Sequence, residues 1–169
     1  INSIKNLNSI LNDLLSLGKI EEGKIEIKKT AFLITDLFDE LSEEMVTYIK
    51  PNQTIKISHS GGETINSDRH ILHNILINLT TNASKYSVEG RPIKIESFNK
   101  NNVLTINIID EGIGIPKEDN EYMFDRFFRA KNVTNIQGTG LGLNIVKKYL
   151  ELINGNITFK SELNVGSIF

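Results

Sequence analysis

Several features that many proteins have are missing from this sequence of 169 residues. It contains no cysteine, which excludes a disulfide framework and thiolate metal sites and is compatible with a reducing compartment. No apolar run approaches the length that spans a membrane, and no signal-peptide pattern is present. The net charge is only −2, so neither nucleic acid nor an anionic membrane surface is expected as the main partner.

Three common nucleotide-binding signatures are absent as well. The P-loop pattern GxxxxGK[ST] does not occur, and neither do the HRD and DFG motifs of protein kinases. The glycines of GTGLGL, residues 138–143, are spaced GxGxG rather than GxGxxG, and no short βαβ unit surrounds them. A phosphate site in this chain would therefore have to be built in another way.

Residues 1–18 have the pattern of an amphipathic helix that Gly18 ends. Its apolar residues recur at the 3-4-3 spacing of a coiled-coil or bundle seam, widened by three more: Ile4, Leu7, Leu11 and Leu14, with Ile10, Leu15 and Leu17. One helix cannot bury such a stripe alone. It either packs on the rest of the domain or, as we favour, belongs to a dimer-forming bundle whose other helix is missing, so we expect a piece of a longer protein.

The remainder, 39% hydrophobic and 24% charged over the whole chain, alternates between helix and strand patterns. The predicted elements are helix 30–49, strands 54–60 and 63–66, helix 68–85, strands 91–99 and 103–110, helix 141–152, strand 155–161 and a strand starting at Gly166. The short connection KNN, residues 100–102, predicts that strands 91–99 and 103–110 form a hairpin. Thr30 is the expected cap of the first helix, and Pro51 is its stop. This order predicts an α/β (α+β) two-layer sandwich, with one mixed, mostly antiparallel sheet covered on one face by helices.

The long predicted helix carries a row of asparagines beside its apolar stripe. Asn74, Asn78, Asn82 and Lys85 share one face by helical spacing, although Asn is a poor helix former. For Asn74 a solvated surface explains the choice. A solvated surface explains Asn78 and Asn82 less well, because Lys85 and Tyr86 continue the same face of the helix. Amide oxygens suit Mg²⁺ and a lysine suits phosphate, so this face predicts one wall of a Mg²⁺–polyphosphate site.

Two glycine-rich loops follow. In DEGIGIP, Asp110 ends a strand, where its carboxylate can accept a hydrogen bond from an exocyclic amine, and Gly112 and Gly114 let the backbone approach a flat ligand. GTGLGL precedes a helix, whose free N–H groups and dipole favour a phosphate. By itself, each loop is also explained by an ordinary turn or a helix cap. Between them lie nearly thirty residues with little regular pattern, a length that is usually functional or mobile.

Taken in order, four stretches resemble one family. NLTTNASKYS, DEGIGIP, FDRFFR and GTGLGL look like the N, G1, F and G2 boxes of the catalytic ATP-binding domain of sensor histidine kinases, in the superfamily of DNA gyrase, Hsp90 and MutL. The resemblance implies the Bergerat-type ATP-binding fold for residues 30–169, with a truncated last strand. Residues 1–18 resemble the end of the second dimerisation and phosphotransfer helix, a bundle helix, and residues 19–29 resemble its linker.

The resemblance also implies roles in binding ATP and Mg²⁺. Asn78 and Asn82 are the implied metal and phosphate ligands, Lys85 contacts phosphate, Tyr86 lies against the nucleoside, and Asp110 binds the adenine amine. The other implied ATP-binding residues are Gly112, Gly114, Ile115, Phe124, Phe127, Arg129, Gly138, Thr139, Gly140, Leu141 and Gly142. Residues 130–137 are the implied lid, anchored by the phenylalanines of FDRFFR.

The chemistry implied is phosphotransfer. The hydrolysing branches carry a Glu general base where this chain has Asn78, and an amide cannot take up the proton of an attacking water. Catalysis then consists of positioning and charge neutralisation by Mg²⁺ and Lys85. The histidines His59, His70 and His73 are not followed by an acidic residue, as the phospho-accepting histidine is, so we expect no native autophosphorylation by this chain alone.

The predicted function is therefore the catalytic and ATP-binding module of a two-component sensor histidine kinase. Two alternatives remain at this point: a nucleotide-binding regulatory or adaptor module without phosphotransfer, and an ATP-hydrolysing clamp of the gyrase–MutL type. The implied partners are ATP, a response-regulator receiver domain and a second copy bound through the N-terminal helix, with no nucleic acid. The implied location of the domain is cytoplasmic, with a membrane reached only through other parts of a parent such as an inner-membrane sensor.

Overall fold

Four α-helices, seven strands and two short 3₁₀ turns build the described part of the chain, which is residues 2–169 with the side chains of 2–6, 8 and 9 left aside. In this computed structural model the elements are α1 (Asn2–Glu21), β1 (Lys29–Leu33), α2 (Ile34–Met45), β2 (Ile55–Gly61), β3 (Thr64–Asp68), α3 (Arg69–Tyr86), β4 (Ile93–Lys100), β5 (Val103–Asp110), α4 (Gly142–Leu152), β6 (Lys160–Glu162) and β7 (Gly166–Ile168). None of the helices described is long and apolar enough to cross a membrane.

Five strands form the main sheet, in the order β2-β4-β5-β7-β6. β2 pairs with β4 in parallel, and every other pairing in this sheet is antiparallel. β4 and β5 form the predicted hairpin, whose two turn residues Asn101 and Asn102 have φ of 54° and 61°, as the tight hairpin turn requires. The predicted two-layer α/β sandwich with a mixed, mostly antiparallel sheet is thereby confirmed.

The core lies between this sheet and the helices. Alternation along β4 places Ile93 and Ile95 inward, where both are fully buried, as expected for a strand with one covered face. The predicted stripe of α3 is buried throughout: Leu72, Ile75, Leu76, Leu79 and Ala83. Because this stripe faces the core, the asparagine row beside it is left at the edge of the helix layer.

The start of the second predicted helix is wrong. Residues 29–33 form β1, which pairs antiparallel with β3 in a separate two-stranded sheet, and α2 begins only at Ile34. Thr30 is therefore not a helix cap, and Leu33, at the cap position, makes no capping hydrogen bond through its side chain. The pairing with β3 is long-range, so the local helical pattern did not decide the conformation of these residues.

Two other boundaries differ from the prediction. α1 continues past Gly18 to Glu21 and ends before Gly23, whose φ is 63°. The predicted strand 155–161 is reduced to β6 at its C-terminal end. The strand that was expected to start at Gly166 is confirmed as β7.

α1 packs on α4 but covers only part of its own apolar stripe. Leu17 is buried in the core, whereas Leu7, Leu11 and Leu14 are 46–58% exposed. The side chain of Ile4 lies outside the described residues. Both hypotheses for α1 thus retain a basis: its end packs on the domain, and its exposed leucines are available to a partner helix.

Candidate functional site

A cleft of about 1100 Å³ lies between α3, the end of β5 and the loops that precede α4. Most of the residues predicted for the site line it: Asn78, Asn82, Lys85, Tyr86, Asp110, Gly114, Ile115, Arg129, Gly138, Thr139, Gly140 and Gly142. The three sequence motifs on α3, after β5 and before α4 are therefore walls of one cavity, although they are far apart in the chain.

Asp110 lies at the inner end of the cleft. It is the last residue of β5, beside Ser167 of β7, and the backbone N–H groups of Ser167 and Gly112 donate to its carboxylate. The residue is 7% exposed, and burial raises the pKa of this carboxyl to about 6. Its Oδ1 is buried and accepts no hydrogen bond from the described residues. Such an atom is costly unless a ligand supplies a donor.

The asparagines of α3 face the start of α4. Asn78 donates from Nδ2 to the carbonyl of Asn74 at 2.9 Å, so its Oδ1 is the atom left for a ligand. That Oδ1 lies 3.2 Å from where a Cβ would stand on Gly142, with Nδ2 of Asn82 3.8 Å from the same point. Asn74 is outside the cleft and contacts His70, in agreement with its interpretation as a surface residue.

Positive charge is concentrated one turn further along α3. The Lys85 ammonium lies 4.9 Å from the centroid of the Tyr86 ring. Burial, and then the charge of Arg129, lower the pKa of Lys85, and burial raises the pKa of Tyr86. A side chain on Gly138 would place its Cβ 2.5 Å from Lys85 Nζ, so the glycine leaves room for the ammonium. The result is a corner of concentrated positive charge between α3 and the glycine-rich loop.

The glycine-rich loop needs its glycines for backbone reasons as well. Gly140 has a φ of 72°, and a Cβ there would lie 2.6 Å from the backbone carbon of Phe127 and 2.7 Å from the carbonyl oxygen of Phe128. Only glycine fits both the conformation and the space. The loop then enters α4 at Gly142, and the hydroxyl of Thr139 accepts from the Leu141 N–H at 3.1 Å.

The predicted lid is held by hydrogen bonds within its own segment and to the loop after β5. Arg129 donates to the carbonyls of Val133 and Ile136, so its guanidinium organises the lid backbone. Asn132 donates to the Gly114 carbonyl at 2.9 Å, which ties the lid to the loop after β5. Six residues between Ala130 and Gln137 line the cleft.

Four predicted site residues do not line the cleft. Leu141 is 1% exposed in the core, and Gly112 lies beneath the cleft, where a Cβ would be 2.6 Å from Asp110 Oδ1. Phe124 packs against Phe159, with ring centroids 5.9 Å apart, and Phe127 is 65% exposed. Of the phenylalanines in FDRFFR it is Phe128 that lines the cleft, because the chain turns at Phe127, where φ is 60°.

Sequence reasoning missed several cleft residues. Asn12 and Asp13 come from α1, Thr47 and Lys50 follow α2, and Ser167 comes from β7. None of them belongs to a motif. Only their tertiary position assigns them to the site.

Comparisons with known proteins agree with this geometry. Residues 67–169 match the family model described as "Histidine kinase-, DNA gyrase B-, and HSP90-like ATPase". The chain is 35% identical over 183 residues to the autoinducer 2 sensor kinase/phosphatase LuxQ of Vibrio vulnificus, covering 99% of this chain and 21% of LuxQ. The catalytic domain of the histidine kinase ThkA is similar in structure, with a TM-score of 0.69, 29% identity and coverage of 84% of this chain and 92% of that domain.

The fold is also that of full-length ShkA in complex with AMPPNP. The TM-score is 0.84 at 24% identity, over 99% of this chain and 35% of ShkA. The family match covers more than half of the chain, and it includes α3, the loop after β5 and the glycine-rich loop. This chain belongs to the family of histidine kinase-, DNA gyrase B- and HSP90-like ATPases, in its histidine kinase branch.

Proposed function

We propose that this chain is the catalytic and ATP-binding part of a two-component sensor histidine kinase. It transfers the γ-phosphate of Mg·ATP to a histidine that lies outside this sequence, for relay to an aspartate of a response-regulator receiver domain. The chain spans about a fifth of the length of LuxQ.

The observation that carries this proposal is the buried carboxylate of Asp110. One of its oxygens, Oδ1, is buried and lacks a donor among the described residues, and the residue lines the cleft. An adenine amino group is a donor of the right kind. Gly114 lines the same cleft, and its φ of 64° and the neighbouring Glu162 carbonyl leave no place for a side chain in this loop.

The other end of the cleft fits Mg²⁺ and phosphate. Asn78 has its Nδ2 engaged with the helix backbone, which leaves an amide oxygen, a ligand type that Mg²⁺ accepts together with waters and phosphate oxygens. Asn82 is the second candidate ligand on the same face. Lys85 and the N–H groups of the glycine-rich loop then neutralise and orient the phosphates. When bound, Mg²⁺ supplies charge neutralisation at the transferred phosphoryl group.

Transfer rather than hydrolysis follows from the residue at position 78. An amide does not accept the proton of an attacking water, so Asn78 holds the nucleotide without activating a nucleophile. The nucleophile then has to come from the dimerisation domain. The exposed Leu7, Leu11 and Leu14 of α1 are the proposed contact with the rest of that domain and with a second copy of the chain.

The test is calorimetry of Mg·ATP binding to the wild-type chain, to Asp110→Ala and to Asp39→Ala. Asp39 is an exposed carboxylate on α2, so its loss controls for the change in net charge. We expect Asp110→Ala to weaken binding about 10- to 100-fold, the range for losing a hydrogen bond to a charged group, and Asp39→Ala to bind like the wild type. Equal losses in both variants, or none, would contradict the assignment of Asp110.

Phosphotransfer is tested separately. The chain is mixed with a dimerisation domain that carries a histidine, and labelled ATP is supplied. We expect label on that domain and little free phosphate. Rapid steady-state hydrolysis by the chain alone would favour the gyrase–MutL type of activity instead.

A further inference from the structure

Helix α1 reaches into the phosphate end of the cleft through one side chain. Asp13 accepts a hydrogen bond at Oδ2 from the hydroxyl of Thr139, at 2.9 Å, and both residues line the cavity. Thr139 is the central residue of GTG in the glycine-rich loop, and its hydroxyl also holds the Leu141 N–H. A carboxylate from outside the ATP-binding domain therefore contacts the loop that would close over the phosphates.

The charges around Asp13 reinforce this placement. Lys85 is close enough for its ammonium to favour the ionised form of Asp13, and Asp13 in turn favours the charged form of Lys85. Burial acts in the opposite direction and raises the pKa of Asp13 above its ordinary value. Asp13 is thus a half-buried carboxylate that interacts with the Lys85 ammonium and the Thr139 hydroxyl. A nucleotide phosphate in the cleft would use the same two groups.

The rest of α1 is held independently of Asp13. Leu17 is 6% exposed in the core, and Glu21 forms an ion pair with Arg126. Both contacts lie toward the C-terminal end of the helix, about one and two turns beyond Asp13. Loss of the Asp13–Thr139 contact would therefore release the N-terminal part of α1, while the C-terminal end of the helix stays packed on the domain.

We propose that Asp13 is an internal competitor of the nucleotide phosphates, so that binding of Mg·ATP and docking of α1 on the glycine-rich loop exclude each other. The inference rests on the proposed function and adds a regulation of the same site. Two anions compete for one ammonium and one hydroxyl, and their like charges repel each other. Since coupling between two binding events is reciprocal, a helix pulled away from the loop binds nucleotide more tightly, and bound nucleotide releases the helix.

The first test compares the affinity for Mg·ATP of the wild-type chain, Asp13→Asn and Glu22→Gln. Asparagine keeps the size of Asp13 and removes its charge. Glu22, which is exposed and paired with Lys24, loses the same charge just beyond α1 and far from the contact with Thr139. We expect Asp13→Asn to bind about fivefold more tightly, at the lower end of usual coupling strengths, and Glu22→Gln to bind like the wild type.

The second test uses hydrogen exchange of the wild-type chain, which does not depend on any variant folding. Mg·ATP should increase amide exchange in the part of α1 before Leu17 while decreasing it in the glycine-rich loop. Unchanged or slower exchange in α1, or an Asp13→Asn variant that binds no more tightly than Glu22→Gln, would overturn the competition and leave the proposed function intact. Absence of any Mg·ATP binding at millimolar concentration in all three proteins would overturn both.

Discussion

At the scale of single residues, Asp110 is a buried carboxylate with an incomplete set of hydrogen bonds. Its carboxylate is buried beside β7, with one oxygen lacking a donor among the described residues, and its pKa is raised from 3.8 to about 6. A raised carboxyl pKa means that ionisation is opposed by folding. The contribution of the protonated Asp110 side chain to the unfolding free energy is fully present below pH 3.8 and is lost as the pH rises through 6.

Asp110→Asn should therefore become more stable relative to the wild type as the pH rises from 4 to 7. The difference in unfolding free energy between the two proteins should grow by up to about 3 kcal/mol, since each pKa unit corresponds to about 1.4 kcal/mol. Urea unfolding of both proteins across this pH range measures it. Parallel stability curves would mean that Asp110 ionises as easily in the folded chain as in the unfolded one.

Gly140 is a second residue whose identity the backbone imposes. Gly140→Ala should destabilise the chain by about 1–3 kcal/mol more than Gly90→Ala does, because the two glycines have similar positive φ but only Gly140 is crowded by the backbone of Phe127 and Phe128. Gly90 has open space around it, so its variant measures conformational strain alone. Denaturant midpoints of the two variants give the comparison, and equal midpoints would remove the steric argument.

At the scale of elements, the end of α3 is held by the segment that follows α2. Lys50 donates from Nζ to the carbonyls of Lys85 and Ser87, both at 2.8 Å. Gln53, which is 5% exposed, accepts from the Ser84 hydroxyl at 2.7 Å. These contacts satisfy the free carbonyls at a helix C-terminus, and they fix the turn of α3 that carries the cleft lysine.

Gln53→Ala should cost about 1–3 kcal/mol of stability, because it leaves buried groups of α3 without partners. The matched control is Gln137→Ala, in the exposed lid, where a change of less than about 0.5 kcal/mol is expected. Thermal or urea unfolding distinguishes the two. A Gln53→Ala chain as stable as Gln137→Ala would show that water replaces the amide without loss.

Elements with strong local signals could be predicted from the sequence. The apolar stripe of α3, the Asn101–Asn102 hairpin and the start of α4 depend on contacts within a few residues, and each is confirmed. β1 could not be predicted, because residues 29–33 have an apolar pattern compatible with a helix and become a strand only by pairing with β3. The end of α1 was missed for a related reason: the burial of Leu17 and the contact of Glu21 with Arg126 support helix beyond Gly18.

Among the site residues, too, those with a local sequence signal could be predicted and those placed by tertiary packing could not. Residues that lie in motifs on a helix face or a glycine loop, such as Asn78, Asp110 and Gly138, are found together in the cleft. Asp13 and Ser167 reach it only through packing of α1 and β7, so no local pattern indicates them. In FDRFFR the motif gives the residues but not which aromatic ring faces inward, because that depends on the positive φ at Phe127.

At the scale of the whole molecule, a ligand that binds only the folded chain must stabilise it. Mg·ATP at about 100 times its dissociation constant should raise the unfolding free energy by about 2.7 kcal/mol. Chelation of Mg²⁺ by EDTA should reduce this gain, because the amide oxygens of Asn78 and Asn82 hold the phosphates through the metal in the proposed site. Thermal shifts with ATP, with and without EDTA, measure the effect; an unchanged shift in EDTA would contradict a metal bridge.

The position of β7 has a consequence for the synthesis of the protein. This strand provides the backbone N–H of Ser167 that holds Asp110, yet it leaves the ribosome after all the other described strands of the sheet, since translation proceeds from the N-terminus. A nascent chain that already contains α3 and Asp110 still lacks the strand that forms one side of the cleft. Ligand in the cell would therefore be captured only once β7 has emerged, and it would not assist the folding of the elements that precede β7.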